Sequence, residues 1–244
     1  MVGDDLQLFF PPEVRDHVQL WASEFELIQT QRRPLDASGF FLWWRGGRLE
    51  LYRDRDPHGV CLQPAEVTRR ATLRGELARA CGASASHRPR VLDAMAGIGL
   101  DGMTLCALGC AVVLMERDLM LCALLDSYLG MFVAKDFDAR IEHADTWDWL
   151  AGTTPSDRDF EVIYLDPMFG SRRKGALPGK AMQFLAELTT PDSHPLKDWV
   201  ELARRPPVAR VVLKRRLQDP MVGTPDWQIK GRSVRYDVYR GVNT

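Results

Sequence analysis

The chain has 244 residues, 45% hydrophobic and 27% charged, with a formal net charge of −1. That length suits one large domain, or a domain with a modest appendage, and the composition excludes a disordered chain, a collagen-like fibre and a coiled coil. No apolar run approaches the roughly 20 residues of a membrane-spanning helix; Asp4, Asp5, Glu13 and Asp16 break up any secretory signal, and five cysteines without Cys-x-x-Cys spacing point away from a disulfide framework and towards a reducing cytoplasm.

In chain order, Val14, Val18, Leu20, Trp21, Phe25 and Leu27 fall at near-helical spacing and predict a helix over 13–28, opening near Pro11-Pro12. Phe40 to Trp44, a Gly46-Gly47 turn, then Leu49, Leu51 and Tyr52 predict a β-hairpin over 40–52. The Trp43-Trp44 pair is read as hairpin core. After the polar loop Asp54 to Gly59, a helix is predicted from Pro64 to Cys81, ended by Gly82, and Ser84 to Pro89 reads as a linker.

The rhythm then changes. Arg90 to Asp93 reads as a short strand, 102–109 as a helix, Ala111 to Met115 as a strand and 118–133 as a Leu-rich helix. A strand at Arg140 to His143, a short helix at 146–150 and apolar strands at Phe160 to Leu165 and Val208 to Leu213 follow. Buried strands alternating with helices predict an α/β fold with a mostly parallel sheet covered on both faces. Trp227 to Ile229 and Val234 to Tyr239, separated by Gly231, predict an antiparallel hairpin added at the end. The division expected is a small β-containing subdomain over 1–62 and an α/β domain over 63–244.

The near-zero net charge hides segregation. Residues 1–90 hold 13 basic and 12 acidic side chains, 91–166 hold 4 and 14, and 167–244 hold 15 and 7. A basic carboxyl-terminal third can hold phosphates, because attraction to nucleic acid follows the local field; a solvated surface paired with the acidic middle is the plainer alternative.

The first strand of the α/β region runs into Asp93-Ala94-Met95-Ala96-Gly97-Ile98-Gly99-Leu100-Asp101-Gly102. Gly97-x-Gly99-x-x-Gly102 matches the dinucleotide fingerprint, and its glycines permit tight turning and close approach to a ligand. Glu116 closes the next strand, where an acid can bind the ribose hydroxyls of an adenosine. Asp93 separates the readings. At the strand's end it would repel a pyrophosphate but suit the ammonium group of S-adenosylmethionine, whose sulfonium is cationic as well. Asp101 and Asp145 add carboxylates on the same edge. A capping role for Asp93 is the plainer alternative. Cys106 and Cys110 read as core thiols, no metal site is expected, and His143 reads as a packed or hydrogen-bonded histidine.

The strand ending at Leu165 is followed by Asp166-Pro167-Met168-Phe169. The turn resembles the Asp/Asn-Pro-Pro-Tyr/Phe motif of methyltransferases acting on exocyclic base amines. Such an amine is a poor nucleophile because its lone pair is delocalised into the ring. The Asp166 carboxylate and Pro167 carbonyl can accept its N–H bonds, and Phe169 can stack on the base.

Leu92 to Asp101, Leu108-Gly109-Cys110, Met115-Glu116-Arg117 and Tyr164 to Phe169 together resemble the RsmJ-type 16S rRNA guanine-N2 methyltransferases. Arg69-Arg70, Arg74-Gly75-Glu76, Val211 to Arg215, Lys230-Gly231-Arg232 and Arg235 to Tyr239 extend the resemblance over roughly residues 58–240. It implies a Rossmann-like class I methyltransferase fold with a seven-stranded sheet, S-adenosylmethionine as donor, and a guanine near the 3′ end of 16S rRNA, free or in the small ribosomal subunit, as acceptor. It also implies cofactor contacts from Asp101, Glu116, Arg117, Asp145, Thr146 and Asp166. The chain departs from the family pattern at Met95, Leu100, Asp145-Thr146 and Gly170.

The resulting expectation is a cytoplasmic enzyme in which Asp93, Gly97, Gly99, Asp101, Glu116 and Asp145 shape the cofactor site and Asp166, Pro167 and Phe169 position the amine. Arg172, Arg173, Lys174, Lys214 and Arg215 are expected to meet RNA phosphates. Other readings stay open: a base N-methyltransferase acting on tRNA or DNA, a catalytically degenerate rRNA-binding assembly factor, and, on the glycine pattern alone, a dinucleotide-dependent oxidoreductase.

Overall fold

The computed structural model describes residues 6–54, 56–131, 138–154, 158–167, 179–190, 193–205 and 207–242. Its strands form two sheets. The first has the order β2-β1-β3-β4, from β1 (Gln7–Phe10), β2 (Glu26–Gln29), β3 (Phe40–Arg45) and β4 (Arg48–Arg53). The β3–β4 hairpin forms as its sequence predicts, and both turn glycines adopt positive φ, 57° at Gly46 and 86° at Gly47. That is what a two-residue turn matching the strand twist requires. Trp43 packs against Tyr52, Phe9 and Phe41.

The helix expected over 13–28 is much shorter. Two single 3-10 turns flank the four-residue helix α1 (Arg15–Val18), and Leu27 and Ile28 belong to β2, paired in parallel with Leu8 and Phe9 of β1. Their backbone groups are satisfied by the neighbouring strand, a long-range pairing that helical spacing of apolar residues does not reveal.

The helix predicted over 64–81 is two helices, α2 (Pro64–Arg70) and α3 (Glu76–Cys81). Gly75 caps the second, and Gly82 at φ 80° ends it by donating to the carbonyls of Ala78 and Arg79. The early end of α2 leaves Arg70 in its last turn.

The second sheet comprises β5 (Arg90–Asp93), β6 (Ala111–Glu116), β7 (Ala139–His143), β8 (Val162–Leu165), β9 (Arg210–Arg216), β10 (Trp227–Lys230) and β11 (Val234–Arg240), in the order β10-β11-β9-β8-β5-β6-β7. Strands β5 to β9 pair in parallel, while β11 is antiparallel to both β9 and β10. The predicted α/β fold, parallel sheet and antiparallel ending are all present. Connecting helices are α4 (Leu100–Ala107), α5 (Leu119–Gly130), α6 (Thr146–Gly152), α7 (Lys180–Leu188) and α8 (Leu196–Ala203), of which the last two carry no prediction from the sequence.

The chain clusters into two units. The first takes β1 to β4 with α1, α5 and α7. Within it Ser127 of α5 accepts from the Leu49 backbone at 3.0 Å, and Phe184 of α7 meets Phe40 edge-on at 5.7 Å. The second takes the seven-stranded sheet with α2, α3, α4, α6 and α8. One face of that sheet buries Leu92, Ile163, Leu165, Val211, Leu213 and Tyr239 against Leu150 of α6 and Trp199, Val200 and Leu202 of α8. The opposite face carries the site. Strand order reverses at β5, whose neighbours are β8 and β6, and in such sheets the ligand crevice lies at the carboxyl ends of these strands. Among the described residues no helix is long and apolar enough to cross a membrane.

Candidate functional site

Asp93 closes β5 and is 2% exposed, with its Oδ1 lacking a hydrogen-bond partner among the described residues. Burial, reinforced by the nearby Asp101 and Asp166 carboxylates, pushes its carboxyl well above the usual range. A buried carboxylate with an orphaned oxygen is costly unless a cationic donor meets it.

The loop after Asp93 is fixed by backbone bonds. Ala96 N–H donates to the Met115 carbonyl at 3.1 Å, and Gly97 N–H donates to Glu116 Oε2 at 2.8 Å. Glu116 Oε1 accepts from the Arg117 N–H, also at 2.8 Å. Gly97 and Gly99 sit at φ 55° and 81°, where residues with a Cβ are strained. Gly102 serves another purpose: a Cβ there would lie 2.5 Å from Asp93 Oδ2 and overlap Leu114. Gly102→Ala is therefore expected to destabilise the protein by about 1–3 kcal/mol and to weaken cofactor binding by displacing Asp93. Thermal unfolding and calorimetry with S-adenosylhomocysteine check both effects.

Sheet register assembles the centre of the site. Asp93 pairs with Tyr164, Leu165 with Leu213, and Lys214 with Tyr236. Since strand side chains alternate, Asp93, Tyr164, Asp166, Lys214 and Tyr236 share one face. Lys214 Nζ donates to Asp166 Oδ2 and to Asp101 Oδ2, each at 2.7 Å. Asp101, in the first turn of α4, also accepts from Tyr164 OH at 2.6 Å and Arg70 Nη2 at 2.5 Å. Burial alone would raise the Asp101 carboxyl, but Lys214, Arg70 and these hydrogen bonds hold it below its ordinary value. Asp166 has fewer donors, and burial pushes it up to about 6 against the opposing charge of Lys214.

Further along the carboxyl edge, Asp145 caps α6, accepting from the N–H groups of Trp147 (2.9 Å) and Asp148 (3.3 Å). Its other oxygen lies 3.5 Å from the Arg117 guanidinium. Thr146 donates to the Ala94 carbonyl at 2.5 Å, and His143 Nε2 lies 3.1 Å from the Arg117 carbonyl. Trp147 stacks on His194, with ring centroids 3.7 Å apart.

The structure thus brings Asp93, Gly97, Gly99, Asp101, Glu116, Arg117, Asp145, Thr146, Asp166 and Pro167 to the carboxyl edge of one sheet. Phe169, Arg172, Arg173 and Lys174 lie outside the described residues. Two expectations change. Lys214 and Arg215 are not a pair of RNA-facing cations, because adjacent strand residues point to opposite faces. Lys214 binds two carboxylates, and Arg215 is 7% exposed, with Asp219 at 3.6 Å. Asp101, expected at the cofactor, is 6% exposed and already accepts three bonds from within the protein. Sequence reasoning missed Arg70, Tyr164 and Tyr236. Both tyrosines lie within strands that read as core, and Arg70 looks like one of two surface arginines. Cys106 and Cys110 are buried thiols, raised to about 12 and about 11, mainly by burial. Among the described residues no group of His, Cys, Asp and Glu could hold a metal.

This edge suits a cationic ligand. The orphaned Asp93 oxygen matches an ammonium group, and Glu116 lies 19 residues after Gly97, held against the glycine loop. A pyrophosphate would face Asp93 directly.

A family model described as "Putative SAM-dependent methyltransferase" matches residues 22–241. The chain is similar to the ribosomal RNA small subunit methyltransferase J of Alkalilimnicola ehrlichii, with 42% identity over 207 residues, 80% of this chain and 75% of that protein. It is 33% identical over 222 residues to the protein of the same name from Pseudoalteromonas translucida, covering 83% of this chain and 86% of the other. A solved SAM-dependent methyltransferase from Neisseria gonorrhoeae shares the fold, with a TM-score of 0.71 at 20% identity over 98% of this chain and 97% of that one.

Proposed function

The chain belongs to the small-subunit ribosomal RNA methyltransferase J family of S-adenosylmethionine-dependent enzymes, and from that premise we propose that it methylates the exocyclic N2 amine of a guanine near the 3′ end of 16S rRNA. The observation that carries the proposal is the placement of Asp166, directly after β8 and directly before Pro167, on the sheet face that also presents Asp93. An amine acceptor and a cofactor anchor thereby share one edge.

S-adenosylmethionine, when bound, supplies an electrophilic methyl group on a sulfonium. The protein does the rest by positioning and charge. Asp93 takes the cofactor's ammonium group, Glu116 its ribose hydroxyls and Asp145 its adenine amine, while Gly97 and Gly99 let the backbone approach closely. Arg117 and Thr146 hold the walls through Asp145 and Ala94. Asp166 and the Pro167 carbonyl accept the N–H bonds of the guanine amine. This raises electron density on nitrogen as positive charge develops there, and Phe169 stacks on the base. No strong base is needed, since an alkylated amine is acidic enough to lose its proton to water. Arg172, Arg173 and Lys174, next to the turn in sequence, supply phosphate contacts. The partner is 16S rRNA or the small subunit, and the compartment the cytoplasm.

Transfer of labelled methyl to undermethylated small subunits and to naked 16S rRNA tests this, with the product nucleoside identified after digestion. N2-methylguanosine is the expected product. Methylated adenosine, or transfer only to tRNA or DNA, would reassign the acceptor. No transfer to any of them, with S-adenosylhomocysteine still bound, would reject it.

A further inference from the structure

We propose that Lys214 is the positioning residue of the amine site: it clamps Asp166 by Oδ2 to a fixed Asp101, leaving Asp166 Oδ1 to receive the N–H of the base. This rests on the amine-methylating reading of Asp166.

The geometry is specific. Leu165 and Leu213 are register partners in parallel strands, so the residues that follow them, Asp166 and Lys214, emerge side by side on the same face. The Lys214 side chain is only 17% exposed. Two of its three ammonium donors go to carboxylates from different elements, 2.7 Å away in both cases. A phosphate contact would pull it from both. Asp101 cannot follow Lys214, because Arg70 of α2 and Tyr164 of β8 hold it from other sides. The chain of contacts therefore runs from two fixed donors through Asp101 and Lys214 to Asp166.

Charge supports the same role. Asp93 of β5, Asp101 of α4 and Asp166 after β8 face Lys214 of β9 and Arg70 of α2, with neutral Tyr164 and Tyr236 of β11 beside them. With all three acids ionised, one negative charge is in excess, matching the single net positive charge of S-adenosylmethionine. Removing Lys214 leaves the half-buried Asp166 beside two other acids with only Arg70 opposing them. Its proton affinity must rise, and a protonated Asp166 has one oxygen fewer to offer as a pure acceptor.

The test compares wild type with Lys214→Met and the charge-keeping Lys214→Arg. The Asp166 carboxyl is followed by carbon-13 NMR titration, assigned with Asp166→Asn. In Lys214→Met the titration should move up by about one pH unit or more. Single-turnover methyl transfer at neutral pH should fall by about 100-fold, while KM for RNA stays within about threefold. Lys214→Arg should restore the titration and most of the rate. An unmoved Asp166 titration in Lys214→Met would overturn the proposal. So would a loss confined to KM with a shallower salt dependence, the signature of a phosphate contact. If wild type transfers no methyl to rRNA, the acceptor reading fails, and the titration still decides the role of Lys214. If Lys214→Met does not fold, the arginine variant decides: a titration shifted despite the retained charge would count against the clamp.

Discussion

Asp166→Ala is expected to lower methyl transfer about a thousandfold, with the fold and S-adenosylhomocysteine binding largely retained. The side chain is 28% exposed and Lys214 is its polar partner among the described residues, so its loss leaves no cavity in the core. The variant also leaves Lys214 bound to Asp101. The removed group is an acceptor needed only when the amine attacks, so the loss should appear in kcat and not in KM. Asp166→Asn separates charge from hydrogen bonding. Its carbonyl still accepts one N–H, so part of the activity should survive. Wild-type rates should show an acidic limb near pH 6, where the raised Asp166 carboxyl titrates, and the asparagine variant should lose that limb. Full activity in the alanine variant would refute the role assigned to Asp166.

The legible parts of this molecule were those determined locally. A short apolar strand, a glycine-rich turn and an acid at the strand's end are contiguous in sequence, so Asp93, Gly97, Glu116, Asp145 and Asp166 could be placed on one edge before any pairing was known. The Gly46-Gly47 hairpin and the stop at Gly82 were legible because positive φ selects glycine. What escaped depends on register. Lys214 and Arg215 look equivalent as adjacent cations, yet one faces Asp166 and the other the Asp219 side. Only the pairing of β8 with β9 decides which. Tyr164 was hidden by its strand, whose apolar run gives no sign that its phenol hydroxyl donates to Asp101. Arg70 was hidden by the expected continuous helix, since the break after it places its guanidinium on Asp101. Strand β1 and the end of the first predicted helix were missed because parallel pairing between distant segments leaves no periodic trace.

The buried acid at the end of β5 leads to a result of opposite sign for function and stability. Asp93→Asn is expected to weaken S-adenosylhomocysteine binding by about 30-fold or more, the loss of a charge-assisted bond to the ligand's ammonium. The same change should stabilise the ligand-free protein at neutral pH by about 1–2 kcal/mol, because a carboxyl whose ionised form is disfavoured by burial no longer has to be accommodated. The sign follows from linkage. The Asp93 carboxyl is raised in the folded state by burial and by two neighbouring acids. Its favourable contribution is therefore complete below the unfolded value near pH 4 and is lost as pH rises through the folded value. The asparagine variant has no such dependence, so its advantage over wild type should grow from about zero at pH 4 as pH rises through the folded value. Asp166, raised for the same principal reason, adds a loss between about pH 4 and 6 in both proteins. Denaturant unfolding across this range, paired with calorimetry, reads both effects. A variant less stable than wild type at pH 8 that binds the ligand equally well would mean that Asp93 finds its partner within the protein, and the cofactor's ammonium would need another anchor. A variant more stable and deficient in binding would identify the end of β5 as a place where folding stability is given up to hold a cationic ligand.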